Sequence, residues 1–295
     1  MPIAFWPITA SESEGQGILM DALDFPFFQR ALVAGLLASV AGGVVGTFVM
    51  VRRMVSVAGG LTHAAFGGVG LGYFLGFSPM AGALGFGLLS GMGLGLAYRR
   101  LGSALDTLIA MVWAVGMALG MLFIALTPGY APDLTSYLFG SLVLVSRNYI
   151  FLIAAVDFLV LVTVVVLFDP LRAIAFDEEF AEVVAEPVEG LFFLFMSLTS
   201  LTVVSLIRVV GVILVIALLS LPAAIAQHWS QDLKRMMLLA VLISAFCTTS
   251  GLFLSFLISD HYGLDAPAGP LIVLLAASLY GVSAAFKGWK TAVTT

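Results

Sequence analysis

The fold is decided by residues 54–98, MVSVAGGLTHAAFGGVGLGYFLGFSPMAGALGFGLLSGMGLGLAY, which contain no Asp, Glu, Lys or Arg. An α-helix rises about 1.5 Å per residue, so about 20 apolar residues cross the roughly 30 Å hydrocarbon core of a bilayer. These 45 residues are long enough for two transmembrane helices. Such a stretch is typical of a chain embedded in lipid.

The rest of the 295-residue chain has the same character, with 61% hydrophobic and 10% charged residues. An ordinary soluble domain has about 25% charged residues. The composition therefore predicts an all-α fold, a polytopic bundle of about nine transmembrane helices. Eight or ten spans remain alternatives, because only the neighbourhood of Arg208 separates the sixth from the seventh. The predicted spans are roughly 28–51, 56–77, 79–98, 106–127, 148–168, 189–207, 209–226, 236–258 and 269–286.

Polar ends flank this apolar region. The first 29 residues lack Lys and Arg but contain acidic residues, the opposite of the positively charged start of a signal peptide. We therefore expect an uncleaved, extracytoplasmic polar tail at 1–27. A transmembrane domain at 28–286 and a cytoplasmic tail at 287–295 complete the expected division.

Basic residues near span ends are retained on the cytoplasmic side of a membrane, so they predict the orientation. With the amino terminus outside, only three basic residues fall outside, Arg30, Arg147 and Arg208. The nine that fall inside are Arg52, Arg53, Arg99, Arg100, Arg172, Lys234, Arg235, Lys287 and Lys290. The polar segment 169–189 and the carboxyl terminus are then expected in the cytoplasm.

Several classes of function are excluded by what the sequence lacks. The 12 basic residues form no stripe suited to a phosphate backbone, so nucleic acid is not an expected partner. The single cysteine, Cys247, permits neither an intrachain disulfide nor a thiolate metal cluster. The patterns G-x-x-x-x-G-K-[ST], H-E-x-x-H and S-x-x-K are absent, so this chain is not expected to hydrolyse ATP or to be an intramembrane enzyme.

Glycine recurs every fourth residue within several spans. Hydrogen in place of a side chain lets neighbouring helix backbones approach closely and gain dispersion contacts. The pattern predicts a tightly packed bundle, with a dimer face or a sliding helix as the alternative for any one stripe. The stripes are Gly68, Gly72 and Gly76, then Gly87, Gly91 and Gly95, then Gly116 and Gly120.

Two ionisable residues fall near the middle of predicted spans, where a charge costs roughly 2.5 to 3.5 kcal/mol on insertion scales. His63 lies about 15 Å into the bilayer from Arg53, and a neutral imidazole there is a suitable ligand for a borderline metal ion. A histidine bonded to a neighbouring carbonyl is the alternative. Asp157 lies in the fifth span, and its structural alternative is a hydroxyl partner from another helix.

The region from Pro222 to Arg235 joins two spans through a short polar stretch. We predict a brief amphipathic helix at the membrane surface, facing a cytoplasmic partner.

Several short motifs, in this order and at these spacings, resemble the permeases of zinc, manganese and iron ABC importers. The resemblance covers about residues 28–286, and although each motif is weak alone, the set is specific. The motifs are RRM at 52–54, GLTHA at 60–64, DTLI at 106–109, YLFGSL at 137–142, VG at 210–211, LPAAIA at 221–226, LKRM at 233–236 and PAGPLIVL at 267–274.

The resemblance implies a permease in the bacterial cytoplasmic membrane that carries a divalent zinc, manganese or iron ion as cargo, with no resident cofactor. The implied partners are a second permease copy, two cytoplasmic ATPase subunits and an extracytoplasmic metal-binding protein, besides membrane lipid. It also implies that the ATPase contacts the region containing Ala223, Ala224, Gln227, Asp232, Lys234 and Arg235.

A central metal site at His63 is implied as well. Many members carry an Asp four residues before the matching histidine, one helical turn away, whereas Gly59 occupies that position here. The missing ligand is then expected from Asp157, Thr62 or another chain.

Two other classes of function stay open at this point. A secondary transporter would couple transport to an ion gradient without an ATPase, and Asp157 would be its natural coupling group. A membrane scaffold would tolerate the loss of every polar residue named above. Genes for an ATPase and a secreted binding protein beside this one would favour the ABC importer.

Overall fold

The fold is known from a computed structural model that describes residues 23–101, 104–128, 140, 145–184, 187–264 and 266–294. Most of the predicted tail at 1–27 therefore lies outside the described residues. Within them the chain forms eleven α-helices and no strand. The helices are α1 (Pro26–Val51), α2 (Val55–Leu75), α3 (Pro79–Leu101), α4 (Leu105–Leu126), α5 (Arg147–Val166), α6 (Phe168–Phe176), α7 (Glu178–Val183), α8 (Val188–Val210), α9 (Val212–Trp229), α10 (Leu233–Tyr262) and α11 (Ala268–Thr294).

The long helices match the predicted spans one to one, which confirms the all-α transmembrane fold. Of the nine helices with 18 or more residues in the described part of the chain, eight are long and apolar enough to cross a membrane. The ninth, α2, is less apolar because it contains His63 and many glycines. It is buried along most of its length, against α3, α4 and α8, so it needs less apolar surface than a lipid-facing helix.

The core is built around α1, α2, α8 and α9. Helix α1 packs against α9 and α10, while α8 contacts α3, α1, α2 and α5. In the central stretches of α1 and α8, 72% of the residues are buried, against 22% in α4 and α11. The outer helices therefore leave apolar faces for lipid or for another protein chain.

The glycine stripes produce the predicted close packing. A Cβ added at Gly116 would lie 2.6 Å from the Ala64 Cα, and one at Gly91 would lie 2.7 Å from the Ser200 Cβ. These glycines therefore bring α4 against α2 and α3 against α8. Gly76 differs, since it ends α2 in a left-handed conformation with φ 74°, which glycine adopts readily.

The sixth and seventh spans separate at Gly211. Its φ of 84° and ψ of 157° belong to a region open almost only to glycine, so α8 ends there and α9 begins one residue later. Gly140, with φ 73°, packs directly on this break, because a Cβ on Gly140 would lie 2.5 Å from the Gly211 amide nitrogen. Gly140, from the YLFGSL motif, thus contacts the VG motif at 210–211.

The remaining contacts sort the helix ends into two groups. At one end, Arg52 of the α1–α2 turn pairs with Glu178 of α7, and the Lys234 ammonium lies 4.7 Å from the centre of the Phe168 ring in α6. The opposite end holds the contact of Gly140 with the α8–α9 break. This grouping agrees with the predicted order of spans, and which end faces the cytoplasm stays a prediction.

The structure extends the predictions at two points. The polar segment 169–189 contains α7 and most of α6. Helix α11 continues to Thr294, so the predicted tail at 287–295 continues the last span as helix. The division of the chain into tails and domain remains a prediction.

Candidate functional site

His63 lies eight residues into α2, about 12 Å from the start of the helix, and its ring is bonded on one side only. Its Nδ1 lies 2.7 Å from the carbonyl oxygen of Gly59, one turn earlier. A carbonyl can only accept a hydrogen bond, so Nδ1 carries the proton of the neutral ring. The other nitrogen, Nε2, then has a free lone pair and no hydrogen-bond partner among the described residues.

This arrangement is compatible with both alternatives raised for His63, a metal ligand and a histidine bonded to a carbonyl. The carbonyl partner of the structural alternative is present, but it occupies only one nitrogen. Metal-binding histidines generally donate the N–H of the other nitrogen to a carbonyl or carboxylate, which fixes the tautomer and aims the ligating nitrogen. The bond to Gly59 therefore leaves His63 suited to bind a metal through Nε2.

Trp113 of α4 explains why residue 59 is glycine. Its indole stacks on the His63 ring with centroids 4.4 Å apart and an angle of 24° between the planes. A Cβ on Gly59 would lie 2.5 Å from the indole Cζ3, so the ring occupies the space that an aspartate at 59 would need. A single sequence carries no signal for this pairing, because the two residues are 54 positions apart.

Thr62 is fully buried beside His63. Its hydroxyl donates to the same Gly59 carbonyl at 2.7 Å and lies 3.3 Å from His63 Nδ1. In this conformation the hydroxyl bonds within its own helix, on the protonated side of the imidazole.

Asp157 lies at the centre of α5 on the face that packs against α1 and α8. It is only 4% exposed, and neither carboxyl oxygen has a hydrogen-bond partner among the residues that the structure describes. Asp157 is therefore not bonded to His63, and the hydroxyl partner of the structural alternative is not found. A buried carboxyl without a partner destabilises the fold. Asp157 is therefore a candidate for a functional role.

The structure does not assemble these residues into a complete metal site. No group of three or more His, Cys, Asp or Glu residues close enough to hold a metal ion occurs in the described part of the chain. Near the middle of the spans, the described residues of one chain therefore offer a single imidazole nitrogen, His63 Nε2, which by itself does not form a metal site.

The predicted coupling region forms the turn between α9 and α10. Helix α9 continues through Pro222 to Trp229, so the predicted surface-lying amphipathic helix is wrong. Proline is tolerated inside membrane helices when neighbouring helices support it, and both Pro222 and Ala223 are buried. The connection that remains is the short turn 230–232.

The six predicted coupling residues have different roles in this turn. Asp232 begins α10 by accepting the Arg235 amide at 2.9 Å, and Gln227, Lys234 and Arg235 are exposed. Ala224 is partly exposed, whereas Ala223 packs with Met236 against the end of α1. The turn thus presents polar groups outward while its small residues anchor it to α1.

A polar network at the same end of the bundle was not predicted from the sequence. The Arg52 guanidinium lies 2.9 Å from a Glu178 carboxylate oxygen and 2.6 Å from the Tyr98 hydroxyl, which itself donates to Glu178 at 2.6 Å. The available signals were an arginine at a span end and an acidic residue in a polar segment. Their pairing across 126 residues is visible only in the folded chain.

Most of this chain is similar to known proteins. The family model described as the ABC 3 transport family matches residues 24–287. The chain belongs to this family. It is 40% identical to an uncharacterised membrane protein of Synechocystis over 91% of this chain and 94% of that protein. It is 32% identical to the manganese import system permease protein ScaB of Streptococcus gordonii, covering 88% and 91% of the two chains.

A solved structure supports the same assignment. PsaBC from Streptococcus pneumoniae, determined in complex with a Fab, matches with a TM-score of 0.77 and 31% identity over 91% of this chain and 94% of that chain. The resemblance seen in the motifs is thereby confirmed. This ABC 3 family chain is a multi-pass metal ABC transporter permease of the bacterial cytoplasmic membrane, a transport subunit rather than an enzyme.

Proposed function

We propose that this permease imports a divalent transition metal ion into the cytoplasm, powered by a separate ATPase subunit. Manganese is the first candidate, because ScaB of Streptococcus gordonii is named for manganese import, and zinc and iron are the other two. The observation that carries the proposal is His63 at mid-span, with Nδ1 bonded to Gly59 and Nε2 free. Imidazole suits these borderline ions.

The remaining ligands come from a second copy of this chain or from Asp157 and Thr62 after the helices move. The second copy is supported by the exposure of the aromatic pair itself. Trp113, which stacks on His63, is 38% exposed, and His63 is partly exposed. A two-fold axis close to this pair would bring two His63 rings toward one ion.

The energy for transport comes from two ATPase subunits at the end of the bundle that carries the α9–α10 turn. Gln227, Lys234 and Arg235 supply the exposed polar contacts there. An extracytoplasmic binding protein delivers the ion at the opposite end.

This arrangement requires the orientation predicted from the basic residues, with the tail at 1–27 outside and the tail at 287–295 inside. A cysteine introduced by Tyr262→Cys, at an exposed position, should react with an impermeant reagent on intact cells. One introduced by Glu179→Cys should react only after the membrane is opened, and the reverse pattern would overturn the orientation.

The function is tested by reconstituting the permease with its ATPase subunits in liposomes that contain ATP and a metal-sensitive dye. With the binding protein and Mn²⁺ outside, we expect uptake that requires ATP and stops when the catalytic glutamate of the ATPase is replaced. Parallel measurements with Zn²⁺ and Fe²⁺ identify the cargo. Equal uptake with and without ATP would contradict the proposal.

A gradient-coupled secondary transporter is the second candidate, and Asp157 is the observation that favours it. A mid-membrane carboxyl with two unpartnered oxygens could carry a coupling proton. In the same liposomes, without ATPase subunits, a pH gradient should drive uptake in that case, and Asp157→Asn should abolish it. Uptake that requires ATP and does not change with the pH gradient would exclude a secondary transporter.

A further inference from the structure

Arg52 is held by four different helices. Its side chain is 7% exposed and forms an ion pair with Glu178 of α7. It also donates to the Tyr98 hydroxyl of α3 and to the Ile174 carbonyl of α6. The guanidinium lies 4.9 Å from the centre of the Phe192 ring of α8. Arginine presents several donors in a fixed plane, which suits contacts in several directions at once.

The Tyr98 side chain completes the network. Its hydroxyl bridges the two charges, accepting from Arg52 and donating to Glu178 at 2.6 Å. Its ring stacks on Phe192 with centroids 3.7 Å apart. Arg52 and Tyr98 thus bond to each other and to the same Glu178 oxygen, so none of the three side chains can move alone without breaking a bond.

The backbone next to Arg52 is equally constrained. The Arg53 amide bonds to the Met50 carbonyl and the Met54 amide to the Val49 carbonyl, the two bonds of a Schellman motif. Arg53 has φ 57°, the left-handed conformation that this motif requires. Helix α2 starts at Val55, so a displacement of Arg52 passes into the helix that carries His63.

The other side of the network leads to the α9–α10 turn. Helices α6 and α7 form one wall of a groove of about 530 Å³, and residues Gln231 to Leu233 form the opposite wall. Lys234 of α10 lies with its ammonium over the ring of Phe168, the first residue of α6. The proposed ATPase contact is thus joined to α6 by direct side-chain packing.

We infer that Arg52 is a positioning residue for transport, which transmits movement of the α9–α10 turn through α6 and α7 to the α1–α2 turn and to His63. The inference rests on the proposed function, because it requires an ATPase that moves the α9–α10 turn. Coupling between distant sites is carried by packed and hydrogen-bonded elements of this kind, and residues along such a path change it without contacting either ligand.

The test compares Mn²⁺ transported per ATP hydrolysed in the reconstituted complex. Tyr98→Phe removes one hydroxyl and keeps the stacked ring, and Glu178→Gln removes the charge and keeps the shape. Both should lower the ratio about fivefold while ATP hydrolysis continues. Glu179→Gln is the matched control, because Glu179 is the exposed neighbour of Glu178 and should keep the parent ratio.

A double variant separates transmission from a general loss of stability. Phe168→Leu removes the ring under Lys234 at the far end of the path. If both contacts act in series, Phe168→Leu with Tyr98→Phe lowers the ratio no further than the stronger single variant. Parent ratios in Tyr98→Phe and Glu178→Gln, or losses that add, would overturn the inference. A parent complex without ATP-dependent uptake would instead overturn the proposed function.

Discussion

The His63 and Arg52 regions differ in how their polar groups are hydrogen-bonded. At mid-span, His63 uses one nitrogen to bond Gly59 and keeps the other free. At the helix ends, Arg52, Tyr98 and Glu178 bond one another. A fully bonded network fixes the relative positions of helices, whereas a free lone pair inside a membrane costs energy unless a ligand uses it. The difference supports the two proposals, metal binding at His63 and transmission of movement through Arg52.

The largest expected effect comes from His63→Ala. Because His63 supplies the free nitrogen at mid-span, the variant should lose metal transport entirely while the amount of folded protein stays at the parent level. His261→Ala is the matched control, since His261 is exposed near the end of α10 and should transport normally. Parent transport rates in His63→Ala, measured with Mn²⁺ in liposomes, would return His63 to a packing role.

Arg52→Ala, unlike His63→Ala, should lower the stability of the folded protein. It leaves the Glu178 carboxylate and the Tyr98 hydroxyl without their cationic partner. Breaking a buried ion pair costs about 3 to 5 kcal/mol, and because the Glu178 side chain is 28% exposed we expect about 2 to 3 kcal/mol. Thermal unfolding in detergent measures this against Arg147→Ala, which removes an exposed arginine. Equal stabilities of the two variants would contradict the network's structural role.

A carboxylate can be added at His63 if Trp113 gives way. Gly59→Asp alone should not improve Mn²⁺ binding, because its Cβ would meet the Trp113 ring at 2.5 Å. Combined with Trp113→Leu, it places a carboxylate and an imidazole four residues apart on one helix face. Calorimetry should then show Mn²⁺ binding about tenfold tighter than in Trp113→Leu alone. No difference between those two variants would place the ion elsewhere.

The smallest expected effect concerns Arg53, the neighbour of Arg52. Its φ of 57° costs a non-glycine residue about 1 kcal/mol, and glycine is the usual residue at this position of a Schellman motif. Arg53→Gly should therefore keep stability or raise it by up to about 1 kcal/mol. A loss as large as that of Arg52→Ala would mean that the two arginines share one structural role.

The sequence predicted the fold well because membrane spans depend on local composition. Apolar runs located all nine long helices, and glycine spacing predicted a tightly packed bundle. Which helices come close, α2 with α4 and α3 with α8, is visible only in the structure. The prediction of a surface helix after Pro222 was wrong, because neighbouring helices support α9 and keep it continuous through the proline. That support comes from residues distant in sequence, which periodicity does not reveal.

The candidate site was predicted only in part. Counting from Arg53 placed His63 at mid-span, and the motif spacing indicated a metal-binding role for it. The reason for Gly59 is the indole of Trp113 on another helix, and the partner of Arg52 lies 126 residues away. Such pairings depend on the tertiary fold, so a single sequence contains no local signal for them.

The central claim is that His63 Nε2 binds the transported ion. Pulsed electron paramagnetic resonance of Mn²⁺ bound to the purified permease complex detects nitrogen ligands directly, because ¹⁴N couples magnetically to the unpaired electrons. We expect an imidazole nitrogen signal in the parent and in His261→Ala, and its loss in His63→Ala. A nitrogen-free spectrum in the parent, or an unchanged nitrogen signal in His63→Ala, would contradict the claim.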